Sequence, residues 1–315
     1  MTHTSATQDR QQDAPPWRAL YPFESHFLPV DEHSLHYLDE GPQLGEAPRA
    51  PVVLFSHGNP TWSFHWRNLI TDLRDDFRAV APDHLGCGLS DKPQQMFRLA
   101  DRVRHMQMLI EQLDLQRITL VAQDWGGAIG LGAALEMPER FERFVLLNTG
   151  AFVPWFFPRR IRVCRFPVLG RVGVQGLNLF SRAALRMTMS HPERLSPAIR
   201  AGYLAPYDSW SNRAAVYNFV EDIPWSASHP SRATLAEIER RLPQLASRPV
   251  QLIWGMRDWC FTPACLDRFV EIFPQAETHR FEDAGHWIVE DSPERVTPLV
   301  RAFLEQPLAN TAGVS

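Results

Sequence analysis

The sequence predicts an α/β fold in which a mostly parallel sheet is flanked by helices and carries an inserted helical cap. Short continuous apolar runs, such as PVVLFSH at Pro51–His57, are typical of strands that are buried on both faces. These runs alternate with segments of helical period, which indicates repeated βαβ units. The alternation stops after Gly150 and resumes near Pro249, so one core is interrupted by an insertion.

The first part of the core begins its alternation at Ser34. A helix is predicted between Leu99 and Leu113 because apolar residues recur there at steps of four and three. The other elements predicted here are, in order, a strand at Pro51–His57, a helix at Trp62–Arg74, a strand at Phe77–Asp83, a strand at Arg117–Ala122, a helix at Gly126–Glu136 that stops before Pro138, and a strand at Phe144–Asn148.

The predicted cap occupies residues 151–225, which are rich in Pro, Arg and aromatic residues and contain no recognisable buried strand. Helical pieces are expected there at Asn178–Met189 and Ser211–Phe219. The core then covers residues 17–150 and 226–306, and residues 1–16 and 307–315 are expected to be mobile tails. The second part of the core is predicted to contain strands at Pro249–Gly255 and Thr278–His286, a helix near Ala264–Phe273 and a last helix from Pro293.

Composition limits the classes of function. The chain has 315 residues, of which 44% are hydrophobic and 22% charged, as is ordinary for a globular protein. Its formal net charge of −4 gives no reason to expect nucleic acid or an anionic membrane as a partner. The four cysteines show no metal-binding spacing, so we expect a reduced cytoplasmic protein without a metal or cofactor. No apolar run reaches the ~18 residues of a membrane span.

Three chemically active side chains follow predicted strands, at the edge where parallel sheets bind ligands. Asp124 follows Arg117–Ala122, Asp258 follows Pro249–Gly255, and His286 closes the last strand. Taken singly, Asp124 is best interpreted as a helix N-cap, Asp258 as a turn former and His286 as a satisfied polar residue. Together, and with a glycine pair after Asp124, they favour a triad in the chain order nucleophile, acid, histidine.

The motifs around these residues resemble those of a known superfamily. The segments SHGNPTWSF, DHLGCGLSDKP, AQDWGGAIG, WGMRDWCF and EDAGHWIVEDSPE carry the resemblance, which covers nearly the whole chain. The chain resembles the α/β-hydrolase superfamily, and within it the haloalkane dehalogenases most closely. The resemblance implies an α/β-hydrolase fold, with Asp124, Asp258 and His286 as the catalytic triad. It also implies that Asn59 and Trp125 bind the departing halide.

Epoxide hydrolases share the Asp-Trp-Gly-Gly turn, so Asp124 alone does not separate the two enzyme classes. Asn59 favours the dehalogenases, because epoxide hydrolases usually carry an aromatic residue at that position. Epoxide hydrolases also use two cap tyrosines as acids, and Tyr203, Tyr207 and Tyr217 keep that alternative open.

The position of the acid narrows the subfamily. One dehalogenase subfamily places Glu after the strand that matches FVLLN, whereas this chain has Asn148 there, so Asp258 serves as the acid. This pattern resembles the third dehalogenase subfamily, whose close relatives include β-lactone decarboxylases of bacterial olefin biosynthesis. The segments YLAPYDSWSNR and RDWCF resemble those relatives. The resemblance also suggests self-association of the chain.

The main hypothesis is a haloalkane dehalogenase acting on a small apolar substrate. Asp124 would displace halide from an sp³ carbon, and the halide would be held by the N–H groups of Asn59 and Trp125. His286 would then take a proton from water, which hydrolyses the Asp124 ester. A β-lactone fits the same residues, with a carboxylate as the leaving group and a base again required. The presence of all five residues argues against a non-catalytic binding protein with this fold.

Overall fold

The computed structural model describes residues 15–42 and 51–308. Its centre is an eight-stranded sheet with the strand order β1-β2-β4-β3-β5-β6-β7-β8. The strand β2 runs antiparallel to both β1 and β4, and all other neighbours are parallel. The strands are β1 (His26–Val30), β2 (His33–Glu40), β3 (Val52–Ser56), β4 (Arg78–Pro82), β5 (Ile118–Asp124), β6 (Phe141–Thr149), β7 (Val250–Gly255) and β8 (Glu277–Phe281). The predicted mostly parallel sheet is therefore confirmed.

The sheet is covered by apolar clusters on both faces, which explains the continuous apolar runs. Alternate residues of a strand point to opposite faces. Accordingly Val52 and Leu54 of β3 join one buried cluster, while Val53 and Phe55 join the other. The strands β3, β5 and β7 are buried along their full length.

Helices follow the parallel strands, as the βαβ rhythm predicts. The α-helices of the core lie at Arg67–Leu73, Leu99–Gln112, Trp125–Glu136, Pro230–Arg241, Pro263–Ile272, Ile288–Asp291 and Pro293–Glu305. The helix Pro230–Arg241 was not among the sequence-based predictions. It packs on the core through Leu235 and Ile238, which belong to the first apolar cluster.

Between β6 and β7 the described chain contains helices and turns but no strand. Its α-helices before residue 226 lie at Arg159–Arg162, Leu169–Arg171, Leu179–Met187, Pro197–Leu204 and Ala214–Glu221. A π-helical turn at Val172–Gly176 joins the second of these to the third. The predicted tails fall mostly outside the described residues. Within residues 15–42 and 51–308, no helix has the length and apolar character needed to cross a membrane.

Candidate active site

Asp124 lies at the sharp turn where β5 passes into helix Trp125–Glu136. Its backbone has φ 55° and ψ −130°, a conformation that costs a non-glycine residue about 1–3 kcal/mol. The turn brings the following backbone close to β3: a Cβ on Gly126 would lie 1.9 Å from the carbonyl oxygen of Ser56. Glycine is required there for steric reasons. Although Asp124 occupies the N-cap position, its side chain makes no capping hydrogen bond, so the simple capping role is wrong.

The two carboxylate oxygens of Asp124 have different surroundings. Oδ1 accepts a hydrogen bond of 2.8 Å from the backbone N–H of Asn59. Oδ2 lies 3.4 Å from Nε2 of His286. The side chain is buried, with Asp124 8% exposed. The chain therefore fixes one oxygen and leaves the other facing the histidine.

His286 lies in the loop after β8, because that strand ends at Phe281 and not at His286 as predicted. Its Nδ1 is 2.7 Å from Oδ2 of Asp258. Burial disfavours the charged imidazolium, but the carboxylates of Asp258 and Asp124 outweigh burial and raise the pKa of His286 to about 10. The two carboxyl groups thus favour the charged form of the imidazole.

The imidazole is oriented by contacts that sequence reasoning did not predict. The backbone N–H of His286 donates to the carbonyl of Thr188 at 2.6 Å, which ties the loop to the end of a cap helix. Its carbonyl accepts a bond of 2.7 Å from Nε2 of Gln123. The ring of Phe261 stacks on the imidazole at a centroid distance of 5.6 Å. No short motif signals these contacts, because they join distant segments of the chain.

Asp258 is held by the loop that contains it and by Asn148. Its Oδ1 accepts backbone N–H bonds from Cys260 and Phe261 at 2.6 and 3.1 Å. Its Oδ2 accepts a bond of 3.0 Å from Nδ2 of Asn148, whose Oδ1 in turn accepts the N–H of Gly255 at 2.8 Å. Sequence reasoning treated Asn148 only as a missing acid. In the structure it fixes the carboxylate that faces the histidine.

Asn59 and Trp125 both border the same cavity as Asp124. One N–H of the Asn59 amide donates to the carbonyl of Val216 at 3.1 Å, which orients the group and leaves its second N–H available. The indole of Trp125 packs against Phe219 at 5.5 Å between centroids. Within the described residues the indole N–H makes no hydrogen bond. Four of the five residues predicted for the site, Asn59, Asp124, Trp125 and His286, therefore border one cavity, and the fifth, Asp258, contacts His286 without lining it.

The cavity has a volume of about 400 Å³ and extends from Asp124 into the cap. Most of its wall is apolar. Four aromatic residues that follow β6 line it, namely Phe152, Trp155, Phe156 and Phe157. Trp225 does not line it and packs against Phe157 with 5.5 Å between ring centroids.

The tyrosines do not reach this cavity. The hydroxyl of Tyr203 donates to Oε1 of Glu290 at 2.5 Å, and that of Tyr207 donates to the carbonyl of Thr61 at 3.1 Å. Neither these two nor Tyr217 is among the described residues that line the cavity. A pair of cap tyrosines acting as acids, which an epoxide hydrolase would need, is not assembled next to Asp124.

The described residues contain no cluster of three or more His, Cys, Asp or Glu side chains arranged to hold a metal ion. All four cysteines are free thiols. The residues that converge on the cavity offer one buried carboxylate, one imidazolium and several N–H donors. This arrangement can support nucleophilic attack by a carboxylate and stabilisation of a departing anion.

Comparison with known proteins gives a consistent family. Residues 51–293 match the family model described as the alpha/beta hydrolase fold. The chain is 40% identical to the cis-3-alkyl-4-alkyloxetan-2-one decarboxylase of Shewanella oneidensis, over 91% of this chain and 90% of the relative. It is 34% identical to haloalkane dehalogenase 2 of Mycobacterium tuberculosis, over 91% and 97%. A crystal structure of a haloalkane dehalogenase from Bradyrhizobium elkani superposes with a TM-score of 0.79 at 25% identity, covering 90% and 97%.

Proposed function

The chain belongs to the α/β hydrolase fold family, and from this premise we propose that it decarboxylates a cis-3-alkyl-4-alkyloxetan-2-one, a β-lactone, to an alkene. The observation that carries the proposal is the apolar cavity of about 400 Å³ that leads from Asp124 into the cap. A relative that acts on this lactone is 40% identical, against 34% for a dehalogenase. This order reverses the main and alternative hypotheses drawn from the sequence.

The size and the apolar lining of the cavity suit a substrate with alkyl chains. Its volume falls within the roughly 300–1,000 Å³ typical of small-molecule sites. The groups suited to the chemistry, those of Asp124, Trp125, Asn59 and His286, border the cavity together, while most of the remaining wall is apolar. A four-membered lactone ring fits at that end while its alkyl chains lie along the apolar wall.

In the proposed first step, Oδ2 of Asp124 attacks the sp³ ring carbon that carries an alkyl chain and is bonded to the ring oxygen, not the carbonyl carbon. A new carbon–oxygen bond forms as the bond to the ring oxygen breaks, and its electron pair remains on the departing carboxylate. The substrate is then an ester of Asp124 with a free carboxylate on the neighbouring carbon. Oδ1 stays bound to the N–H of Asn59 throughout, which leaves Oδ2 as the attacking atom.

The second step releases both products. The bond between the substrate carboxylate and its carbon breaks, and its electron pair becomes the alkene π bond. At the same time the ester bond to Asp124 breaks, and its electron pair returns to Oδ2. The attack inverts the configuration of the carbon that becomes bonded to Asp124. The carboxylate and Asp124 then leave from opposite faces of the carbon–carbon bond. The two events together keep the alkyl chains on one side, so a cis-lactone gives a cis-alkene.

The two steps need no net proton transfer, which departs from the sequence-based expectation that a base is required. We assign His286 the role of a cation in this reaction. It stabilises Asp124 before attack and the substrate carboxylate afterwards, and its charge is maintained by Asp258 at 2.7 Å. Trp125 and Asn59 supply further N–H groups for that carboxylate.

Haloalkane hydrolysis remains the second candidate, and the N–H pair of Asn59 and Trp125 beside the nucleophile favours it. A halide needs N–H donors, which the indole of Trp125 and the amide of Asn59 provide. In that reaction water must attack the Asp124 ester, so His286 has to accept a proton. The two reactions therefore place different demands on the same histidine.

The test compares both substrates on one enzyme preparation. We expect a synthetic cis-3,4-dialkyl β-lactone to yield cis-alkene and CO₂, detected by gas chromatography, and a bromoalkane of similar length to release bromide more slowly. Asp124→Asn should abolish alkene release, while Asp267→Asn, at an exposed aspartate, should leave it intact. Bromide release without alkene from any dialkyl lactone would reject the decarboxylase proposal in favour of the dehalogenase.

A second variant separates the two mechanisms. His286→Gln should trap the alkyl ester formed from a bromoalkane, visible by mass spectrometry, because hydrolysis needs the base. The same variant should still release alkene from the lactone, more slowly. Accumulation of a lactone-derived ester without alkene would contradict the elimination step.

A further inference from the structure

Charge is unevenly distributed in this chain, and the cap holds an excess of positive charge. Residues 151–192 contain seven arginines and no lysine, aspartate or glutamate, although the whole chain has a net charge of −4. The arginines are Arg159, Arg160, Arg162, Arg165, Arg171, Arg182 and Arg186. Within the described residues only one of them, Arg165, pairs with a carboxylate, that of Glu221 at 3.6 Å.

The same segment exposes large apolar side chains. Val168 and Leu169 are 75% and 76% exposed. The other large apolar residues exposed between residues 159 and 187 are Val163, Phe166, Val172, Leu177, Leu179 and Met187. We call the surface formed by residues 159–187 the basic cap face. Contiguous apolar exposure of this kind marks an interaction site on a protein surface.

The basic cap face is continuous with the wall of the cavity. Val163, Leu169 and Leu179 are each exposed to solvent and also line the cavity above Asp124. The cavity therefore reaches the protein surface within this face. Whatever covers the face also covers an entrance to the active site.

We propose that the basic cap face binds the surface of an anionic phospholipid membrane. Apolar side chains next to arginines match such a surface, since the side chains enter the acyl boundary while the guanidinium groups contact lipid phosphates. A symmetric contact between two copies of the chain would bring two sets of arginines together, which charge repulsion opposes. The expectation drawn from net charge, that no anionic membrane is a partner, does not consider this local excess.

Membrane binding would place the cavity entrance against the lipid. An apolar substrate could then pass from the bilayer to Asp124 without crossing water. The binding itself rests on the charges and exposures of the face and is independent of the reaction assigned under the proposed function. Loss of vesicle binding and loss of alkene release are thus separate results.

The test is flotation of the full-length protein with two kinds of vesicle, one of phosphatidylcholine alone and one with added phosphatidylglycerol. We expect binding to the anionic vesicles only, weakened by high salt. Arg159→Gln with Arg162→Gln should lower the partition coefficient by about fivefold for each arginine removed, or about 25-fold together. Phe166→Ser with Leu177→Ser should also weaken binding, and neither residue lines the cavity.

Matched controls come from exposed residues outside the face. Phe27→Ser, at a position 56% exposed on strand β1, and Arg240→Gln should bind the anionic vesicles like the unmodified protein. Circular dichroism melts establish that each variant folds. The proposal is overturned if anionic vesicles are not bound at low salt, or if the cap variants and the controls bind equally. It is also overturned if Phe166→Ser with Leu177→Ser dissociates an oligomer in light scattering while vesicle binding is unchanged.

Discussion

Replacing Asp124 by Asn tests whether Asp124, the proposed nucleophile, and His286 are electrostatically coupled. The Oδ2 atom of Asp124 lies 3.4 Å from Nε2 of His286. At that separation two opposite unit charges attract by about 5 kcal/mol at an effective dielectric constant of about 20. Since one pKa unit corresponds to about 1.36 kcal/mol, loss of the Asp124 charge should lower the pKa of His286 by about three to four units. From a starting value of about 10, the pKa of His286 would approach that of a free imidazole.

Nuclear magnetic resonance titration of the imidazole measures this shift directly. The chain contains 12 histidines, so the signal of His286 is identified by its absence from a His286→Gln spectrum. Asp267→Asn supplies the control for removal of an exposed carboxylate that does not line the cavity. If the pKa of His286 in Asp124→Asn is lower than in the parent by less than one unit, the coupling is refuted. His286 would then remain charged when Asp124 is esterified.

The magnitude matters because esterification removes the same charge as the Asn substitution. In the free enzyme the raised pKa of His286 disfavours its action as a base. When Asp124 carries an alkyl group from a haloalkane, the pKa of His286 falls towards neutrality and the imidazole can accept a proton from water, whereas the carboxylate formed from a lactone keeps the pKa of His286 raised. The geometry thus permits hydrolysis of the ester as well as elimination from it, and the substrate decides which reaction is faster.

Three further predictions address stability and positioning. Because the pKa of His286 is raised from 6.5 to about 10, its charge stabilises the folded state fully below pH 6.5, and this contribution is lost as the pH rises towards 10. Chemical denaturation should therefore show that the free energy of unfolding of the parent decreases over this pH range. The same free energy should depend less on pH in His286→Gln. Gly126→Ala should destabilise the fold by about 3 kcal/mol, because the added Cβ would lie 1.9 Å from the backbone oxygen of Ser56. Gly173→Ala is the control: its added Cβ would lie 3.7 Å from the nearest atom, in Leu179, so this variant should melt close to the parent temperature. Asn148→Ala should lower kcat about tenfold or more with little change in KM, because the buried carboxylate of Asp258 loses the N–H donor of Asn148. An unchanged kcat in steady-state assays would show that Asn148 does not position Asp258.

The parallel part of the sheet and the meeting of the site residues could be predicted from the sequence. Continuous apolar runs identify β3, β5 and β7 because these strands are buried on both faces. Once the strands are parallel, residues that follow them must meet at one edge of the sheet. Asp124 and Asp258 could therefore be brought together without a structure.

The antiparallel pair β1 and β2 was missed for a physical reason. These strands carry His26, His36 and Asp39 and lack a continuous apolar run, since β1 lies at the edge of the sheet and β2 is only partly buried. The supporting contacts of the site were missed for another reason. The bonds from Asn148 to Asp258 and from His286 to Thr188 join segments far apart in the chain, and neither end has a distinctive local pattern.

The polar end of the cavity does not by itself choose between a lactone and a haloalkane, since both reactions generate an anion beside Trp125 and Asn59. The difference arises after attack. A halide leaves the substrate, so the ester must wait for water, whereas the carboxylate from a lactone stays attached one carbon away from the ester. An apolar wall withholds water from the ester and also from that carboxylate. In the proposed elimination the carboxylate loses CO₂ while its charge passes to Asp124, where the N–H of Asn59 and the imidazole of His286 stabilise it. In the proposed reaction the apolar cavity therefore slows hydrolysis of the ester and favours elimination, and its walls affect the outcome as well as the residues that contact the ester.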